Sequence, residues 1–407
     1  MRRSLRVPGF TPLASSYALN ELGDNLGVIA LAILVLDRTD SALATTALFL
    51  AGKFVPAFLA PALTAGLDRH PVGRVLPLLY VLEALAFAGL ALLAHSFWLP
   101  AVLALAFADG LLALTARGLS RGAIAAVLTP AGTLREGNAI INVVFAIMSV
   151  AGPMLAGLIV HQWGVATALA ADATSFVGVA LLLLIASGRL PRPETGPRER
   201  WRARVRDGLQ YIRSHPTAGR LIGGEALAIV FFTVTVPIEV VYATESLHST
   251  SLGLGTLIGM WGVGILIGSA IFTRAGGRSL GTLILVSTAA IGVGYAEMAV
   301  APTLVIACIG AVIGGAGNGI QWVAVMTALQ ETVGAAYQAR AAGLLESAAA
   351  AVPGIGYVLG GLLTSVASAR LAYVVAALGV AVVVITWTRR PLLPRAIGTP
   401  VTSHEGS

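Results

Sequence analysis

Four polar residues, two of them acidic, interrupt the first long apolar stretch of the sequence. Asn20, Glu21, Asp24 and Asn25 lie near the middle of residues 13–36. This stretch is long enough to cross a bilayer as a helix, since a span needs about 20 apolar residues. A carboxylate at the centre of a bilayer costs on the order of 3 kcal/mol, so we expect these side chains to face protein or a water-filled cavity. A proton or substrate site explains them, and so does hydrogen bonding between packed helices.

Two further charged residues lie at the same predicted depth. Lys53, the only lysine of the chain, falls near the middle of the second apolar stretch, and Asp109 falls near the middle of the fourth. At about 1.5 Å of rise per residue, both reach the membrane level of Asp24. We predict that Lys53 pairs with Asp24 or Asp109, and that a proton on the carboxylate releases the pair and favours one access state. Glu21 is an alternative proton carrier, and a purely structural charge pair is a second interpretation.

The composition is that of a membrane protein with many spans. Hydrophobic residues make up 57% of the 407 residues and charged residues only 11%, against about 25% charged residues in soluble proteins. The mean hydropathy is +0.87. We count twelve apolar stretches, at residues 13–36, 43–66, 75–95, 98–118, 138–160, 165–187, 220–243, 253–273, 280–299, 303–327, 341–365 and 370–388. The sequence therefore predicts an all-α polytopic fold with twelve transmembrane helices.

The basic residues predict the orientation and the division of the chain. With the N-terminus inside, all but three of the 26 lie on or near the cytoplasmic side, the exceptions being Arg38, Arg370 and Lys53. This bias predicts cytoplasmic termini and makes the net charge of +7 a topology signal, so a nucleic-acid partner is not expected. We predict six-helix bundles at 1–187 and 220–390, a cytoplasmic linker at 188–219 and a cytoplasmic tail at 391–407. In the linker, the apolar spacing over 198–215 predicts a basic amphipathic helix on the membrane surface.

Other chemistries have no support in the sequence. One cysteine, Cys308, forms no internal disulfide, and the six histidines show no spacing typical of a metal site. No phosphate-binding loop of the form GxxxxGK[ST] occurs. No nucleophile and base share a predicted depth. We therefore expect neither an enzyme nor a cofactor or metal site. Asp172 is expected to be structural, and Glu225 and Glu239 are predicted near span ends, where water lowers the cost of a charge.

Several motifs resemble those of the major facilitator superfamily. The loop after the second stretch, from Thr64 to Val75, resembles the superfamily's Gly–Asp-Arg–Gly-Arg-Arg motif in a degenerate form. The resemblance implies two six-helix pseudo-repeats and a cytoplasmic gate at Asp68 and Arg69, with Arg74 as a further member. Arg117 and Arg121 resemble the arginine motif at the inner end of the fourth span and join the predicted gate.

Within the superfamily, the sequence is similar to the drug:proton antiporter branch that includes macrolide-efflux and enterobactin-export proteins. The resemblance is carried by the run from Leu22 to Arg38, by Ser41-Ala42-Leu43 and by residues 172–176. It implies a small-molecule substrate, protons as the coupling ion, a monomer in the plasma membrane and efflux of lipophilic drugs. Asn20 and Asn25, with Asn318, Gln321 and Trp322 from the tenth stretch, are the predicted cavity residues.

Two alternatives stay open at this point. The first is a transporter of a specific metabolite, siderophore or lysophospholipid. The second is a non-transporting membrane receptor or scaffold, which the mid-membrane charges disfavour because a scaffold gains nothing from their insertion cost.

Overall fold

The computed structural model describes residues 3–190, 210, 214–275, 278–333, 344–345, 348–390 and 392–393. Within these residues the regular secondary structure is helical, and twelve helices are long and apolar enough to cross a membrane. This confirms the predicted all-α polytopic fold. The helices, named α1 to α12, are Phe10–Thr39, Ala42–Leu67, Val72–Leu93, Leu99–Leu128, Glu136–Trp163, Val165–Ala186, Pro216–Ser246, Ser251–Arg274, Leu280–Val300, Leu304–Thr332, Ala348–Val366 and Ala369–Arg389.

The fourth helix is longer than its apolar stretch. It continues past residue 118 to Leu128, because the segment after Arg121 is rich in alanine and leucine, which favour helix. Its Ala123, Ile124 and Leu128 are buried. As a result Arg117 and Arg121 both lie inside a helix, with two to three further turns between Arg117 and the helix end.

Most of the predicted linker and tail lies outside the described residues, and residues 216–219 of the predicted linker belong to α7. Of the predicted amphipathic helix at 198–215, the structure describes only 210, 214 and 215, and of the tail only 392 and 393. The amphipathic helix and the domain boundaries at 188–219 and 391–407 therefore stay predictions.

Helix α1 lies at the centre of the first six helices. It packs against α4, α5 and α6, and 78% of its most apolar window is buried, a larger share than in the other eleven described spans. Protein therefore surrounds α1 on most sides. This is why polar side chains near its middle face other helices and not lipid.

The two halves of the chain meet through α1, α2 and α5 of the first half and α7, α8 and α11 of the second. One close approach joins Gly157 of α5 to Gly255 of α8, where a Cβ on Gly255 would lie 3.0 Å from the Cα of Gly157. Phe49 of α2 meets Tyr357 of α11 with ring centroids 5.9 Å apart. Gly157, Gly255 and Phe49 lie in the part of each helix nearest the α1–α2 loop, which we call the loop-40 end, and Tyr357 lies at the middle of α11. These contacts between the halves therefore run from the loop-40 end to mid-helix.

Two arginines fasten helix ends at the loop-40 end. Arg38 donates from Nη2 to the carbonyl oxygen of Ala94, at the end of α3, over 2.8 Å. Arg370, at the start of α12, donates to the carbonyl oxygens of Ser246, Ala299 and Ala301 at 3.1, 3.0 and 2.7 Å. A cation at a helix C-terminus is stabilised by the partial negative charge of its free carbonyls. These are the two arginines that the sequence placed on the side opposite the other basic residues.

A glycine contact inside the first half gives a stability prediction. A Cβ on Gly110 of α4 would overlap the backbone carbonyl oxygen of Gly52 in α2. We expect Gly110→Ala to destabilise the protein by about 1–3 kcal/mol, because a backbone atom cannot move aside as a side chain can. The control is Gly178→Ala in α6, where a Cβ would meet no atom within 4 Å and alanine favours helix.

The measurement is the thermal midpoint of the detergent-solubilised protein, followed by fluorescence-detected size exclusion. Gly110→Ala should melt below wild type and Gly178→Ala at or above it. Equal midpoints for wild type and Gly110→Ala would contradict the close approach of α2 and α4.

Candidate functional site

The polar face of α1 points into the first six helices. Asn20 and Glu21 are each 1% exposed and Asp24 is 8% exposed. The amide of Asn20 donates to Asp24 Oδ2 over 3.1 Å, and the amide of Asn25 donates to the carbonyl oxygen of Glu21 over 2.6 Å. Each amide is four residues from its partner, so both bonds run along one helix face. The bond from Asn20 therefore positions the Asp24 carboxylate, whereas Asn25 binds the backbone of Glu21.

One guanidinium compensates both acids of α1. Arg117 Nη2 lies 3.0 Å from Glu21 Oε1 and 3.1 Å from Asp24 Oδ2, and its contact with Asp24 is also a hydrogen bond. Removing one partner of a buried ion pair strands the other charge, which costs about 3–5 kcal/mol. Arg117 therefore ties α4 to α1 at the level of the predicted proton site.

Asp24 also borders a small cavity, together with Lys53 of α2 and Asp109 of α4. Lys53 lies in a wide turn of α2, where the N–H of Val55 donates to the carbonyl oxygen of Leu50, five residues earlier. Such turns are frequent at functional sites. The structure thus brings the three residues of equal predicted depth around one cavity.

The predicted ion pair of Lys53 differs from the structure. Among the described residues, Lys53 lies within 4.0 Å of no carboxylate, and the cation paired with Asp24 is Arg117. Lys53 is exposed, whereas Asp24 is buried. The sequence analysis did not predict the pair of Arg117 with Asp24, because it placed the end of the fourth span near residue 118. That boundary put Arg117 at the membrane surface.

Two further acids, on α3 and α6, complete the cluster of charged residues around α1. Glu83 of α3 is 0% exposed, and both of its carboxyl oxygens lack a hydrogen bond partner. Asp172 of α6 is 1% exposed, and its Oδ1 accepts a hydrogen bond from Ser175 over 3.2 Å. Asp172 packs against α1 at Gly23 and Gly27, where a Cβ would overlap its carboxylate.

The sequence analysis did not single out Glu83. The signal was present, because Glu83 is the one charged residue in the apolar stretch 75–95. Counting the cluster gives five carboxyl groups, at Glu21, Asp24, Glu83, Asp109 and Asp172, and two cations, at Lys53 and Arg117. An enclosed carboxylate without a cation is costly. With more carboxyl groups than cations, the cluster is therefore suited to binding and releasing protons.

In the second half, the tenth helix contributes a second buried pair. Gln321 is 1% exposed and its amide donates to Glu225 of α7, which is 2% exposed. Glu225 thus lies inside the helix bundle, in contrast to its predicted place near a span end. Asn318 and Trp322 are half-buried on the same helix, and Trp322 packs against the hydrophobic core.

Comparison with known proteins identifies the family. The family model described as Major Facilitator Superfamily matches residues 9–341 and 221–404, which together cover almost the whole chain. The chain belongs to the major facilitator superfamily. It is thus a multi-pass membrane transporter with the superfamily's twelve-helix fold, as the motifs implied. The search of curated protein sequences finds no match.

Solved superfamily-like structures resemble the chain over nearly its full length. A crystal structure of the nucleoside transporter NupG superposes with a TM-score of 0.73 at 14% identity, covering 96% of this chain and 99% of that one. A bacterial homologue of the iron transporter ferroportin, in an inward-facing state, gives 0.71 at 19% identity over 95% and 99%. A POT family transporter in complex with a thioalcohol-conjugated peptide gives 0.73 at 12% identity over 94% and 96%. At these identities the likeness shows the fold alone.

The superfamily loop motif lies between α2 and α3. Asp68 is half-buried and its N–H donates to the carbonyl oxygen of Thr64 over 2.9 Å, while Arg69 and Arg74 are exposed. Thr64 replaces the motif's first glycine, and it packs against Gly118 of α4, where a Cβ would lie 3.3 Å from Thr64 Cγ2. A small residue on α4 thus keeps the two helices close. The gate role of Asp68, Arg69 and Arg74 stays a prediction.

Of the two arginines predicted for that gate on α4, one lies in the acid cluster and one at a surface. Arg117 binds Glu21 and Asp24 as described above. Arg121, one turn further along α4, is exposed. The gate role of Arg121 stays a prediction.

The transporter holds a second cavity between its two halves. It is lined by apolar residues of α1, α2, α5, α7 and α8, and its two polar side chains are Asn25 and Glu239. Glu239 follows a break in α7 at Val236–Ile238. It had been predicted near a span end, and the structure places it at this interface instead.

The acid cluster gives a second stability prediction. We expect Arg117→Gln to destabilise the transporter by about 3–5 kcal/mol, because Glu21 and Asp24 would lose their cation. Arg121→Gln on the same helix should cost about 1 kcal/mol or less, because Arg121 is exposed.

Thermal midpoints of the purified variants measure both effects. Adding Asp24→Asn to Arg117→Gln should recover part of the loss, since it removes one of the stranded charges. A midpoint for Arg117→Gln equal to that of Arg121→Gln would contradict the shared ion pair.

Proposed function

We propose that this transporter exports lipophilic small molecules in exchange for protons, by alternating access, as the resemblance to the drug:proton antiporter branch implies. The observation that carries the proposal is the position of Asp24. Its carboxylate is bound by Arg117 on one side and borders the cavity of Lys53 and Asp109 on the other. A proton that enters the cavity therefore reaches a carboxylate on which an interhelical ion pair depends.

Protonation of Asp24 would change the contact between α1 and α4. The neutral acid no longer attracts the guanidinium, so Arg117 keeps only Glu21 as an ionic partner. The contact weakens, and the balance between two arrangements of the helices shifts. Lys53 adds to this switch, because the loss of the Asp24 charge leaves Asp109 as the acid that shares its cavity.

Glu21 is the alternative proton carrier, since it shares the same guanidinium. Asp24 is favoured because it borders the cavity and also accepts the hydrogen bond of Asn20. The other acids near it supply further protonatable groups along α3, α4 and α6.

We further propose that the transporter is a monomer in the plasma membrane, with both termini in the cytoplasm. The distribution of basic residues supports this orientation. With it, the loop-40 end faces outward, and the contacts of α5 with α8 and of α2 with α11 close the outer side. The described arrangement then corresponds to an inward-facing state, and Asp68, Arg69, Arg74 and Arg121 would form the gate of the opposite state.

Proton release from the purified protein tests the proposal. Protein in a weakly buffered detergent solution is mixed with a panel of lipophilic cations, neutral drugs and polar metabolites, and the pH of the medium is recorded. We expect a compound-dependent release in wild type that is reduced at least tenfold in Asp24→Asn, because the amide binds no proton.

The control variant is Glu225→Gln, which replaces a buried acid of the second half that does not line the cavity of Asp24. It should release protons as wild type does. Equal release by Asp24→Asn and wild type would contradict coupling at Asp24. Release with polar metabolites and none with lipophilic compounds would replace drug export by the specific-metabolite alternative.

A further inference from the structure

The cavity between the halves contains one acid without a partner. The cavity has a volume of about 150 Å³, and Glu239 of α7 is the charged residue in its wall. Within the described part of the chain, no hydrogen bond or ion pair joins its carboxylate to another residue. By contrast, Glu21 and Asp24 share Arg117, and Glu225 accepts from Gln321. Glu83 also lacks a hydrogen bond partner, but it does not line this cavity.

Among the described residues that line the cavity with Glu239, none is a cation. Beside it the cavity is walled by Val240 and Val236 of α7, by Leu254 and Ile258 of α8 and by Phe49 of α2. The nearby Tyr295 donates its hydroxyl hydrogen bond to the carbonyl oxygen of Phe232 over 2.9 Å, not to Glu239. A carboxylate in such a setting is costly unless an external cation joins it.

We propose that Glu239 makes this cavity selective for lipophilic organic cations, and that this selection is separate from the coupling at Asp24. The inference rests on the proposed function and adds the substrate class. The apolar wall would take up the hydrophobic body of the ligand, Phe49 offers an aromatic face for a cation, and Glu239 supplies the opposite charge. Neutral and anionic compounds of the same shape lack the charge attraction.

The two cavities adjoin, which connects ligand selection at Glu239 with proton binding at Asp24. Val28 and Phe49 line both the cavity of Asp24 and the cavity of Glu239. A ligand that presses on Phe49 from the side of Glu239 therefore acts on a wall of the cavity of Asp24. Charge selection and proton binding use different acids, so single variants separate them.

A pair of ions with one shape and opposite charge tests the inference. Tetraphenylphosphonium and tetraphenylborate are bound to purified transporter in uncharged detergent, and binding is measured by equilibrium dialysis. We expect wild type to bind the cation at least about tenfold more tightly than the anion, and Glu239→Gln to lose this preference, because a charge that faces a ligand in an apolar site contributes at least that factor.

Two matched variants accompany the measurement. Glu239→Asp should keep the preference because it keeps the charge, and Glu225→Gln should keep it because its acid already has a partner. Equal binding of the two ions by wild type, or an unchanged preference in Glu239→Gln, would overturn the proposal. If Glu239→Gln does not fold, Ile258→Trp fills the cavity from α8 and should abolish cation binding, and retained binding would overturn the location.

Failure of this inference is distinguishable from failure of the proposed function. Dialysis measures binding without transport. Cation preference that depends on Glu239, without proton release by any compound, would support the inference and contradict proton coupling. Proton release that depends on Asp24, without cation preference, would support coupling and overturn the inference.

Discussion

The first six helices depend on one guanidinium that compensates two carboxylates. Arg117 of α4 lies 3.0 Å from Glu21 and 3.1 Å from Asp24 of α1. At this depth in a membrane protein, an unpaired charge is costly. The hydrogen bond of Asn20 orients the Asp24 carboxylate. Because α1 is also the most enclosed helix of the described chain, a change in this contact reaches α4, α5 and α6 at once.

Charge is divided unequally between the halves. The first half contains five acids and two cations around α1, whereas the second half contributes the buried Glu225–Gln321 pair and the unpaired Glu239 of the cavity between the halves. Cations balance the first group only in part, which suits proton exchange. The single acid at the interface faces an apolar cavity, which suits charge selection. The protein thus separates the group that binds protons from the group proposed to meet the ligand, with Phe49 between them.

The fold and the equal depth of Asp24, Lys53 and Asp109 were predictable from the sequence, because apolar length and helical rise determine both. The pairing of Asp24 with Arg117 was not, because helix ends are the least certain part of such a prediction and α4 extends to Leu128. Glu83 could have been singled out in the same way as Asp24, because it is a charged residue within an apolar stretch. The partner of Gln321 and the place of Glu239 depend on a break within α7 and on packing between halves, which apolar spacing does not encode.

The distance between the halves as a function of pH tests the central claim most directly. Spin labels on cysteines at His95 and Thr303, both exposed at the loop-40 end, report that distance by pulsed electron paramagnetic resonance in a Cys308→Ser background. If protonation of Asp24 shifts the equilibrium, the wild-type distance distribution changes between alkaline and acidic pH. Asp24→Asn should then show the acidic distribution at every pH. A variant that still shifts with pH as wild type does would contradict the account.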